Sequence, residues 1–152
     1  MSQKLLVMVA AVALVGCTSS SHQCASPDAA SVVASFQPKK QFTAMLESVA
    51  KRTQTAAMAE NRDGSSARKN LSRAVKSTVE RHAAEWERNL VSGWGTLNAE
   101  ELKQVCTALN ERDRATFERF AARVGAEVQS RNEPLLKRAG AEVLEQIWSE
   151  KE

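Results

Sequence analysis

The sequence predicts an all-α fold, an antiparallel helical bundle of about four to five helices. Apolar residues recur at three- and four-residue spacing through most of the chain beyond residue 38, the signature of amphipathic helices. Six glycines and three prolines among 152 residues leave long stretches without breakers. The recurring Ala, Glu and Arg prefer helix to strand. No segment of useful length shows the period-two alternation of a half-buried strand.

The first bundle helix is expected from Lys39 to Asn61, with Phe42, Met45, Leu46, Val49, Thr53 and Ala56 on one face and Gly64 as its stop. The second is expected from Ser66 to Gly93, where Gly93-Trp94-Gly95 breaks it. Its stripe is Leu71, Val75, Val79, His82, Trp86 and Leu90. The third opens at Asn98, with Glu101 three residues on as in a capping box and Leu97 placed to staple onto Leu102. Leu102, Val105, Cys106 and Leu109 form its inner face, and it ends near Asn110. The fourth opens near Asp113 and presents Phe117, Phe120, Ala121, Val124 and Val128. Arg123, Glu127 and Arg131 are spaced four apart on its outer face, each pair contributing ~0.2–0.5 kcal/mol. Pro134 is expected to kink or restart the helix. The last segment carries Leu135, Leu136, Ala139, Val143, Leu144 and Ile147 and ends near Trp148.

Ahead of the bundle, Met1 to Lys4 is a short, positively charged start, and Leu5 to Val15 is an uncharged apolar run. Eleven residues suit the hydrophobic region of an export signal and fall short of the ~20 needed to span a bilayer. Leu14-Val15-Gly16-Cys17 follows directly. It resembles the lipobox of bacterial lipoproteins. That resemblance implies a signal peptide at residues 1–16, cleaved before Cys17. It also implies lipidation of the Cys17 thiol by a diacylglycerol thioether and, usually, acylation of the new amino terminus. The implied covalent lipid on Cys17 is the sole cofactor-like group expected. Two or more acyl chains give stable anchoring where one, at ~0.8 kcal/mol per buried CH₂, is marginal. Thr18 stands where Asp retains such proteins in the inner membrane of enteric bacteria, so the expected place is the periplasm, anchored to the inner leaflet of the outer membrane.

The organisation expected is therefore 1–16 signal peptide, 17–38 lipidated Cys and flexible tether, and 39–152 helical domain. The tether reading rests on Thr18-Ser-Ser-Ser21, a Ser- and Ala-rich run to Ser35, and breakers at Pro27 and Pro38. Within it, Ser26-Pro27-Asp28 suits the opening of a short helix through Val32 and Val33.

The formal net charge is +3, and Lys4 is the sole charge in residues 1–16, leaving +2 on the remainder. Acidic and basic residues interleave as on a solvated helical surface, which argues against a nucleic-acid partner. Cys24 and Cys106 remain once Cys17 carries lipid, a pair placed for a disulfide in an oxidising compartment. The alternative reading makes Cys106 a small core hydrophobe and Cys24 idle. His22 with Cys24 forms a nucleophile–base pair on paper, but the tether would not hold it. His82 sits inside an apolar stripe, where a satisfied core or boundary histidine is the usual case. Glu100 with Glu101 and Glu142 with Glu145 could imitate paired catalytic carboxylates, although acids in a first turn also favour the helix dipole. No metal-ligand spacing accompanies them. Trp86, Trp94 and Trp148 suit either a sugar- or partner-binding surface or, more ordinarily, helix packing.

The stretch from Leu97 through the Glu100-Glu101-Leu102 element to Leu144 resembles small helical domains of unknown function in proteobacterial periplasmic proteins. Their aromatic-Ser-Pro segment is missing here, and the resemblance implies no activity. With no catalytic or metal constellation assigned, the expected function is a non-enzymatic protein-binding module. Its narrower form is an immunity-type inhibitor of a cell-envelope-degrading enzyme. The alternatives are a structural or assembly accessory of an envelope complex, and a peptidoglycan-acting enzyme using paired carboxylates. The partners expected are the membrane, through the lipid, and a periplasmic protein.

Overall fold

The computed structural model describes residues 23–53, 58 and 64–149. These form five helices in an all-α bundle, with no strand among the described residues. They are α1 (Ala29–Ser35), α2 (Pro38–Lys51), α3 (Ser65–Trp94), α4 (Ala99–Glu111) and α5 (Arg114–Ser149).

Antiparallel α3 and α5 form the main seam. Side-chain pairs mark their register: Arg138 Nη2 donates to Glu85 Oε1 at 2.8 Å, and Asn89 Nδ2 donates to the Arg131 carbonyl at 3.1 Å. At Gly93 the helices approach closely, and a Cβ there would stand 2.5 Å from Val128 Cγ2. The helix ends at Trp94 with Gly95 as its cap, within the Gly93-Trp94-Gly95 break expected from the sequence. On one side of the seam α2 packs through Phe42, whose ring stacks on Trp86 with centroids 5.0 Å apart. On the other, α4 covers the first half of α5. Asn98 and Glu101 close the expected capping box, with reciprocal bonds of 2.9 Å.

Two expectations are corrected. The first concerns the tether, expected to reach residue 38 with the domain starting at 39. From Cys24 onward the chain belongs to the bundle. Asp28 caps α1 by accepting from the Ser31 N–H at 2.8 Å, and Val32 and Val33 are fully buried. Phe36, the C-cap of α1, joins Trp94 and Phe117 in a three-ring cluster with centroids 5.4–5.7 Å apart. Two adjacent apolar side chains cannot face one side of a strand, but at the buried edge of a short helix both find the core. Gln37 then takes a left-handed conformation (φ 54°) and lets Pro38 open α2.

The second concerns Pro134, expected to kink or restart the last helix. α5 runs unbroken through it. Proline removes the donor for the carbonyl four residues back, but Pro134 and Ser130 are both exposed, so the loss falls on the solvent side. Leu135 and Ala139 remain buried and carry the packing onward.

Candidate functional site

The amino-terminal end of the described chain is held against α4. Cys24 and Cys106 are joined by a disulfide, with Cα atoms 5.3 Å apart across a sequence separation of 82. Asn110, one turn beyond Cys106, grips the same backbone from both sides. Its Oδ1 accepts from the Cys24 N–H at 2.9 Å, and its Nδ2 donates to the Cys24 carbonyl at 3.1 Å. In the sequence Asn110 marks only the end of a helix. Its pairing partner is 86 residues away, and nothing local marks it. Cys17 and His22 lie outside the described residues. Cys24, spent in the disulfide, has no thiol to pair with a base.

A polar cluster interrupts the α3–α5 seam nearer its other end. Glu142 on α5 accepts from His82 Nε2 at 2.7 Å through one carboxylate oxygen and pairs with Arg81 through the other. Fully buried Thr78 accepts from Arg81 Nη2 at 3.3 Å and from Gln146 Nε2 at 3.1 Å. Burial pushes the Glu142 carboxyl upward, but the bonds from His82 and Arg81 and their charge outweigh it, leaving it below the ordinary glutamate range. His82 is thus a boundary histidine satisfied by an acid.

Two of the four candidate carboxylates, Glu101 and Glu142, are engaged in ion pairs. Glu101 bonds the Asn98 backbone and pairs with Arg123 across to α5, both of which lower its carboxyl. A general acid needs the opposite shift. Glu142 is engaged as above, while Glu145 is exposed. Arg123 stays on the exposed face but pairs across to Glu101 on α4, while Arg131 pairs with Glu127 at 2.6 Å as the spacing predicts. A groove of about 340 Å³ between α4 and the start of α5 is lined by Glu100, Lys103, Thr107, Glu111, Thr116 and Arg119, a mixture of signs that favours no ion. Among the described residues, no three His, Cys, Asp or Glu side chains are grouped to hold a metal ion.

The tryptophans do not form one surface. Trp86 and Trp94 are buried and stacked on Phe42 and Phe117, whereas Trp148 is 58 % exposed near the end of α5. No protein-family model, curated protein or solved structure matches the chain.

Sequence reasoning did not single out Asn132. It is 2 % exposed on α5, and neither its amide nitrogen nor its oxygen has a hydrogen-bond partner. The Trp86 indole N–H, buried on the facing helix, is likewise unpartnered. The apolar face of α5 gives no warning of a polar residue in that row.

Proposed function

We propose that the chain is a lipid-anchored protein of the outer membrane, whose helical domain works in the periplasm by binding another protein. The observation that supports this reading is the Cys24–Cys106 disulfide. Such bonds persist in oxidising compartments and are rare in the cytosol. The bond begins seven residues after Cys17, where the lipobox resemblance puts the lipid. Among the described residues no helix is long and apolar enough to cross a membrane, so a covalent lipid is the anchor proposed.

Ion pairs cross between helices on a surface of mixed charge, including Lys39–Glu80, Arg138–Glu85 and Arg123–Glu101. Such a surface suits recognition of a folded partner, with complementary charge supplying specificity. The narrower proposal is inhibition of a cell-envelope-degrading enzyme. The test adds the purified domain to peptidoglycan hydrolases acting on isolated cell walls. Inhibition saturating at one domain per enzyme supports the reading. Peptidoglycan cleavage by the domain itself overturns it.

A further inference from the structure

We infer that the Cys24–Cys106 disulfide keeps the α4 end of the bundle close to the membrane, so that the opposite end is the part that reaches furthest from it. This rests on the lipid-anchor reading above. Six residues lie between Cys17 and Cys24, and the seven Cα–Cα steps can span at most ~25 Å. The chain enters the bundle at Cys24, where the disulfide and the two Asn110 bonds clamp it to α4.

That clamp lies towards one end of the molecule. α4 packs on the first half of α5, as the Glu101–Arg123 pair shows, and α5 continues to Ser149. A helix of 36 residues is about 54 Å long. Thr107, beside the clamp, and Glu145, near the far end of α5, are both exposed, and about 40 Å of helix lies between their levels. The attached end cannot leave a layer ~25 Å deep at the membrane surface. A partner beyond that layer meets the other half, where Arg81, His82 and Glu142 of the seam and the Arg138–Glu85 pair lie.

The disulfide is what makes the link short. Without it only the two Asn110 bonds hold that backbone, and once they open the first fully buried side chain is Val32, fifteen residues from Cys17, where the reach roughly doubles to ~50 Å. The bond thus acts as a fixed strap between a membrane anchor and one end of a rigid rod.

The experiment uses the full lipidated chain in phospholipid vesicles carrying an acceptor dye on the lipid headgroup. A donor dye is coupled through Thr107→p-azidophenylalanine or Glu145→p-azidophenylalanine. Energy transfer is expected to be several-fold stronger from position 107 than from 145. Removing the bond with Cys24→Ala and Cys106→Ala should weaken transfer from 107 while circular dichroism stays helical. Equal transfer from the two positions in the parent chain overturns the inference, whatever the double variant does. If the parent incorporates no labelled palmitate, the anchor reading falls as well. Palmitate present with equal transfer overturns the orientation alone.

Discussion

Val128 on α5 occupies the place above Gly93 on α3 where any side chain would begin, its Cγ2 standing 2.5 Å from the position of an added Cβ. Valine is stiff at χ1 in a helix and cannot swing aside freely. Gly93→Ala should therefore destabilise the fold by about 1–2 kcal/mol, because overpacking outweighs the helix-propensity gain. Gly125, on the same helix as Val128, has nothing within 4 Å of an added Cβ. Gly125→Ala should stabilise by about 0.5–1 kcal/mol. Urea midpoints of the two variants should move in opposite directions, and a shift of the same sign in both would refute the packing argument.

The disulfide makes a direct prediction about thiols. Exported, unfolded and unreduced protein should show no free thiol from Cys24 or Cys106. Replacing both by Ala should cost up to ~4–5 kcal/mol in the chain-entropy account of a loop this long. Two free thiols per chain, or an unchanged denaturation midpoint, would remove the clamp from the fold.

Acid should weaken the α3–α5 seam at Glu142. Burial raises its carboxyl, but His82 and Arg81 hold it below the ordinary glutamate range. A carboxyl depressed in the folded state contributes stability that is fully present above its unfolded pKa. That contribution is lost as pH falls through the folded one. Stability measured against pH should therefore differ between the parent and Glu142→Gln at neutral pH, and the two curves should converge as pH falls below the ordinary glutamate range and through the lowered folded-state pKa. Parallel curves across that range would show that the pairing does not contribute.

Asn132→Leu should stabilise the domain by about 1–3 kcal/mol. Both polar atoms of the amide are buried without partners, and an apolar side chain of similar size removes that penalty. Thermal unfolding followed by circular dichroism decides it. A lower midpoint would mean that the amide is satisfied in solution.

How far the sequence revealed this molecule depended on the range of each interaction. α4 was legible almost atom by atom, because Asn98, Glu101 and the Leu102–Val105–Cys106 face all speak within one or two turns. α1 was read as a short helix but placed in a tether, because Ser and Ala surround Val32 and Val33 and the faces that bury them arrive later in the chain. Pro134 misled because its local rule is strong, yet packing on the inner side of α5 carries the helix across it. The candidate site was the least legible part. His82 and Glu142 meet across 60 residues and Cys24 and Asn110 across 86, and such pairs follow from helix register, which no local pattern encodes.

The 82-residue span of the disulfide also imposes an order on biogenesis. A chain emerging from its amino terminus exposes Cys24 long before Cys106 exists outside, and until then the sole neighbouring thiol is Cys17. Three cysteines allow three pairings, and the one nearest in sequence joins Cys17 to Cys24 and would strand Cys106. On the anchoring proposed above, conversion of Cys17 to a thioether removes that competitor. Lipidation would then act as a proofreading step for oxidation as well as an anchor. A chain that escapes acylation would risk being locked shut at the wrong cysteine.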